Sequence, residues 1–340
     1  MNRSLARKKL KSIAGEASPV AVLQTLEASD QPTRGTGVVS FSGHETFTLR
    51  HGWLKKATDA VEADPQVFVK DGAMVDLGVG KNMVRSIRHW ALAADVLREK
   101  PGTRGTEVSP TDFGSLIFGP CGADPYLEDL NTLWLIHWNL ATNERRSTGW
   151  CWMFNLIHTD EFTRDSLFGV FSAELKRRNI AGPSISSLRR DIDCAIRTYV
   201  GTRAKTDLLE ESLECPLVEL QLLMADVDGM LFRFSRGPKP TLSDHIFLHC
   251  LLDFWKRHPS QDSLAFSEIA FAPGSPGSVF KLDENSIAVR LEGLEKGTDG
   301  SLIYDETAGL RQVYRRANIG SDTVLARHYK ESANASWRTA

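Results

Sequence analysis

Gly78-Val79-Gly80 constrains the fold more than any other stretch, because it separates two segments that both read as helix. Lys70–Leu77 forms a short helix. The two glycines permit the turn between crossing helices, since they adopt backbone angles that other residues resist. Lys81–Ala94 follows, with Met83, Val84, Ile87, Trp90 and Ala91 at helical spacing. On its other side stand Lys81, Asn82, Arg85 and Arg88, of which 81, 85 and 88 share one face. Short strands at Val96–Arg98 and Glu107–Val108 then flank Lys100-Pro-Gly-Thr-Arg104, a hairpin with a basic tip. Helix, tight turn, helix and hairpin in this order read as a winged helix. Asn82 and Arg85 suit base edges or phosphates in a major groove, with Arg104 on the wing. A solvated basic face on a structural helix is the other reading.

Two looser versions recur. Arg164–Asn179, the turn Ala181-Gly-Pro183 and Ser184–Tyr199 form a helix-turn-helix pattern with Ser184 as N-cap. Ile185, Leu188, Ile192, Ile196 and Tyr199 form its apolar stripe. Arg190, Asp193 and Arg197 lie opposite, with Arg189 at the edge. Arg190 and Arg197 are DNA candidates, although Asp193 repels phosphate. At the C-terminal end come helices over Leu242–Lys256, Phe266–Phe271 and Asn285–Lys296, then a hairpin of Leu302–Tyr304 and Gln312–Tyr314. Asp283, Glu284, Glu292 and Glu295 make that last helix a poor groove reader, so this unit suits structure or assembly. The fold class is therefore mainly α, with tandem helix-turn-helix or winged-helix units and short β-hairpin wings. The expected divisions are a flexible basic leader over 1–38, a DNA-binding winged helix over 39–142, a helical domain over 143–236, a winged-helix-like domain over 237–317 and a frayed polar tail over 318–340.

Net charge excludes the simplest nucleic-acid signature. The 340 residues carry 41 Lys and Arg against 43 Asp and Glu, a net charge of −2, so any DNA surface is local. Arg3, Arg7, Lys8, Lys9 and Lys11 precede no apolar run, which argues against a secretory signal; they read as a solvated tail or a basic arm on phosphates. No apolar run is long enough for a membrane span, and a cytoplasmic protein is expected. The five cysteines (Cys121, Cys151, Cys194, Cys215 and Cys250) include no C-x-x-C pair and read as free thiols in a reducing compartment.

Two stretches offer chemistry. In Ser42-Gly-His-Glu-Thr-Phe47, ahead of a helix with Arg50, Trp53 and Leu54, His44 and Glu45 either ligate a metal and activate water or cap the helix. In Asp124-Pro-Tyr-Leu-Glu-Asp129, three carboxylates either hold Mg2+ or cap helices. His137, set between Trp134 and Trp138, reads as a core histidine, and the four tryptophans Trp134, Trp138, Trp150 and Trp152 read as core. No Walker phosphate loop and no G-x-S-x-G elbow is present.

Phe41-Ser-Gly-His-Glu-Thr-Phe47, Trp53-Leu-Lys-Lys56, Leu77–Arg88, Phe118-Gly119, Gly122–Asp129 and Trp134–Trp138 together resemble a bacterial family once classed only as a domain of unknown function, the SspB-like family. The resemblance spans about residues 41–316. It implies double-stranded DNA as ligand and the nicking of one strand in a single-strand DNA phosphorothioation system used in defence. The implied partners are a cysteine desulfurase, an ATP-pyrophosphatase-like sulfurtransferase and an ATPase, with a homodimer left open. A non-catalytic DNA-binding or scaffold subunit fits the same strings. Nicking implies Mg2+ or another divalent metal. Within the matched strings, His44, Glu45, Asp124 and Glu128 are the catalytic candidates, Glu45 and Asp124 the metal candidates, and Arg50 and Lys81 the candidates for binding phosphate.

Overall fold

The computed structural model describes residues 38–201, 215–307 and 309–339. The leader expected over 1–38 lies outside them except for Val38.

The first helices are α1 (Trp53–Ala63), α2 (Ala73–Leu77) and α3 (Lys81–Ala93). Gly78 closes α2 in the left-handed conformation at φ 61°, and extended Gly80 starts α3. α3 buries Val84, Ser86, Ile87, Trp90 and Ala91, the face that its periodicity marks. The antiparallel pair β1 (Leu97–Glu99) and β2 (Val108–Pro110) follows, with Leu97 opposite Pro110 and Glu99 opposite Val108. Helix, turn, helix and hairpin thus succeed one another as the sequence suggests, with the strands shifted by about one residue.

Next come α4 (Asp112–Phe118), α5 (Leu130–Thr142) and α6 (Thr148–Leu156). Asp129 caps α5 by accepting from Asn131 N at 2.8 Å. α5 is buried on nearly all sides, the mark of a central helix rather than a surface one. Trp134, Trp138, Trp150 and Trp152 are each about 1% exposed and form core. His137 is enclosed with them: one ring nitrogen lies 2.7 Å from Tyr199 Oη and the other 2.9 Å from Val279 O. Burial pushes its pKa down to about 3, so it stays neutral.

β3 (Glu161–Thr163) leads into α7 (Arg164–Arg177), which packs on α8 (Ile185–Tyr199). Ser184 caps α8 by accepting from Ser187 N. Ile185, assigned above to the apolar stripe, is 68% exposed at the first helical position, so the buried stripe starts at Leu188. β4 (Leu223–Ala225) and β5 (Leu231–Phe234) join β3 in a sheet of order β3-β5-β4. The C-terminal part holds α9 (Asp244–Trp255), β6 (Ser263–Ala265), α10 (Phe266–Phe271), α11 (Pro276–Phe280), α12 (Glu284–Glu292), α13 (Leu294–Gly297), β7 (Leu302–Thr307) and β8 (Leu310–Arg315). The single helix expected over Asn285–Lys296 is broken at Gly293. The last hairpin gains a third strand, in order β6-β8-β7.

The expected frayed tail over 318–340 needs correction. α14 (Ser321–Thr339) is a helix, and it packs along α9. Val324, Leu325 and Tyr329 are buried, and Tyr329 Oη lies 2.9 Å from Thr132 Oγ1 on α5. Burial of these three side chains orders a segment whose composition is otherwise polar. One buried apolar cluster includes residues from Leu49 to Tyr329, and the breaks expected near 142/143 and 236/237 are turns between elements packed on it. Among the described residues, no helix is long and apolar enough to cross a membrane, and all five cysteines are free.

Candidate nucleic-acid interface

The loop from Phe41 to Phe47 is wedged between α3 and α8. Three of its non-glycine residues, Ser42, Glu45 and Thr46, have positive φ of 64°, 49° and 69°. Such angles cost about 1–3 kcal/mol each and persist only where the surroundings enforce them. Here the surroundings do. His44 is fully buried. Its Nε2 donates to Asp191 Oδ1 on α8 at 3.0 Å, and its Nδ1 accepts from Thr46 N at 3.0 Å. The His44 carbonyl accepts from Ser86 Oγ on α3 at 3.0 Å. Asp191 Oδ1 also accepts from Ser42 N at 2.9 Å, and Phe47 O accepts from Trp90 Nε1 at 3.1 Å. Gly43 is required for contact, since a Cβ there would lie 2.4 Å from His89 Nδ1. His44 therefore pins the loop: both ring nitrogens are engaged and neither faces solvent.

The outer edge of this loop is cationic. Lys81, Asn82 and Arg85 on α3 are exposed. Arg85 reaches Glu45 Oε1 at 3.4 Å, and Arg197 on α8 donates to the neighbouring Thr46 carbonyl at 2.7 Å. Arg190, about two helical turns before Arg197, is exposed and bonded to Ser186 O. The loop thus brings together Glu45, Arg85 and Arg197 from three separated segments. Asp193 is neutralised by Arg164 at 2.7 Å, which removes the repulsion expected of it. Arg88 faces the hairpin instead of solvent, donating to Glu99 at 2.7 Å and to Gly105 O at 2.9 Å. Arg104 is exposed on the hairpin tip. Arg50 is half-buried, with its guanidinium 5.5 Å from the Trp53 ring centre.

The carboxylates named for chemistry are occupied otherwise. Asp124 is buried, and its two oxygens accept from Glu128 N at 2.7 Å and Asp129 N at 3.1 Å. It closes the turn before α5. The Glu128 side chain is exposed. Among the described residues, no group of three or more His, Cys, Asp or Glu side chains could hold a metal ion. Glu45, Asp124 and Glu128 as they stand do not fit the ligand set that Mg2+ needs.

Sequence reasoning missed Asp191, although a carboxylate between Leu188 and Ile192 on a buried stripe was a legible signal. It also missed Glu99, which binds Arg88 and Arg146 at once; that link joins residues far apart in the chain and has no local signature.

Comparison with known proteins agrees with the strings that carry the resemblance. The profile of a protein family of unknown function, DUF4007, matches residues 41–329. A crystal structure of magnesium ion-bound SspB superposes with a TM-score of 0.77 at 32% identity, covering 86% of this chain and 88% of that one. A second SspB crystal structure gives 0.76 at the same identity and coverage. No curated protein matches the chain. The matched profile covers most of the sequence and the fold is shared nearly end to end, so the chain belongs to the DUF4007 family and is SspB-like.

Proposed function

We propose that this protein binds double-stranded DNA as a subunit of a bacterial phosphorothioation-type modification and defence system, and that it opens one strand for sulfur incorporation. The observation that carries the DNA reading is the edge of the 41–47 loop, which Arg85 and Arg197 reach from two different helices, while Lys81 and Asn82 on α3 and Arg190 on α8 are exposed. Such an edge engages phosphates from two helices at once, with the polar N-terminal end of α3 nearest a groove. In this reading, the helix-turn-helix of α2 and α3 with the β1–β2 hairpin acts as a winged helix, within a DNA-binding region over 39–142. The likeness to SspB supports the system context, and one of the two relatives binds magnesium.

A second reading, a non-catalytic module that loads the modification enzymes, is favoured by a specific observation: His44 and Asp124 are committed to internal hydrogen bonds. A supercoiled plasmid incubated with the protein and Mg2+ separates the two. Nicking predicts open circle that disappears in Glu45→Ala while duplex binding persists. Tight, salt-sensitive binding without open circle assigns the loading role. Absence of duplex binding at low salt refutes both.

A further inference from the structure

A cleft of about 460 Å3 opens between the β1–β2 hairpin and the turn that follows α5. Its walls carry five cationic side chains and two carboxylates, Asp95 and Glu99. Both walls are tied to α3. Arg88 holds the hairpin through Glu99 and the Gly105 carbonyl. Asn143 holds the turn by donating to Ala93 O at 3.1 Å. Arg146 closes the floor onto the same Glu99. Burial raises the Glu99 carboxyl, but the two guanidiniums outweigh it and keep it below its ordinary range, so the floor stays ionised and internally balanced. Gly105 has φ 79°, and a Cβ there would lie 2.9 Å from Glu99 Oε1. The close approach of backbone to this ion pair is therefore built into the hairpin.

What the network leaves over is positive. Lys100 is matched by Glu107 at 3.2 Å, and Arg88 and Arg146 by Glu99. Arg104 and Arg145 make no ion pair among the described residues, and Arg98 acts on Asp95 through space. All three are exposed. The lining is too polar for an apolar organic ligand, whose pockets are mostly hydrophobic. Planar guanidiniums lining a polar recess suit the oxygens of a phosphate. The position fits as well. Arg88 lies three residues beyond Arg85 on α3, about 4.5 Å along the axis at 1.5 Å per residue. The hairpin wall of the cleft and the 41–47 loop are thus held by neighbouring turns of the same helix, through Arg88 and Arg85.

We propose that this cleft seats a backbone phosphate of the same duplex that lies along α3, held by Arg98, Arg104 and Arg145. The assignment rests on the DNA reading above and extends the contact to the far side of the hairpin, with Arg145 supplied by the turn after α5.

The test uses the full chain and a fluorescently labelled duplex of about two helical turns, with affinity measured between 50 and 200 mM salt. Each lost phosphate contact flattens the plot of log K against log salt by about 0.9. The double variant Arg98→Ala/Arg145→Ala is expected to bind about tenfold more weakly at the lowest salt, with the slope shallower by about 0.9, the share of one phosphate. Arg145→Lys, which keeps the charge, is expected to retain most of the slope. Thermal melting checks that these exposed substitutions leave the fold intact. An unchanged slope in the double variant overturns the cleft while leaving DNA binding by Lys81 and Arg85 standing. No binding by the unaltered protein overturns both. Inorganic phosphate or a nucleotide bound with the same arginine dependence, with duplex affinity unaffected by the double variant, also overturns the assignment to DNA.

Discussion

Two parts of the molecule place a helix ahead of a hairpin, and they spend their arginines differently. In the N-terminal part, Lys81, Arg85 and Arg104 extend from α3 and the hairpin into solvent. In the C-terminal part, Arg290, Arg311 and Arg315 are drawn onto the protein itself, while Arg316 stays exposed. Arg311 lies over the Phe266 ring, with its guanidinium 3.3 Å from the ring centre, and Arg315 lies 4.4 Å from that of Trp255. Arg290 on α12 turns back to Asp244 and to the carbonyls of Lys239 and Leu242. The outward side of α12 is left with Glu284 and Glu292. Cation–π stacking and internal pairing therefore make the C-terminal unit a packing device. In the N-terminal unit Arg50 and Arg88 are likewise taken up internally, but Lys81, Arg85 and Arg104 stay exposed, Arg85 sharing its charge with Glu45. Counting arginines would not separate the two; their partners do.

The sharpest way to break this contrast is at its anchor. Asp191→Ala removes the acceptor of both His44 and Ser42 inside the protein, and the expected loss of stability is about 3–5 kcal/mol, as for other broken buried polar pairs. Urea denaturation measures it. A loss within experimental error would mean that the loop does not depend on α8. Next in size, Lys81→Glu/Arg85→Glu should weaken duplex binding by about 2–3 kcal/mol, roughly 30- to 150-fold at low salt. The matching C-terminal reversal, Glu284→Lys/Glu292→Lys, should leave affinity near that of the unaltered protein. Equal effects from both pairs would erase the distinction. Arg311→Ala should cost stability by about 1 kcal/mol through lost stacking on Phe266 and leave DNA affinity unchanged; a drop in affinity would reassign the C-terminal hairpin.

A further effect concerns pH. Lys281 is buried, donating to Phe154 O at 2.6 Å, and burial pushes its pKa from 10.5 down to about 7. Lys239 is pushed down to about 8 by burial, with Arg236 adding to it. Between the folded and unfolded values, the unfolded chain holds more protons. Stability therefore rises as pH increases through 7 toward 10 and falls as pH drops to 7. Denaturation midpoints followed from pH 7 to 9 should climb, and Lys281→Met should flatten that climb. A variant with the same pH slope would show that Lys281 does not titrate in this window.

Local signals made the helices readable. Ser184 and Asp129 cap where such residues cap, Gly78 adopts its left-handed angle, and the four tryptophans fall inside. The exposed face of α3 followed from spacing alone. What escaped the sequence depends on distant contacts. α14 buries Val324, Leu325 and Tyr329 among charged residues, too sparse a stripe to stand out before α9 is beside it. β3 pairs with β5 about seventy residues later, so its register has no local trace. Arg88 belongs to the basic face by periodicity but not by partner, because Glu99 reaches it only once the hairpin folds back. His44 carries the chemistry of a catalytic group, and its burial against Asp191 appears only when α8 arrives.

The strained loop has a mechanical consequence. Since one short segment is bolted by hydrogen bonds to α3 through Ser86 and to α8 through Asp191, the gap between those helices works as a fixed gauge. If the proposed duplex spans Arg85 and Arg197, its groove width or curvature would have to adjust to that gauge. Discrimination among DNA sequences would then arise from how cheaply each one deforms, even at base pairs that no side chain reaches.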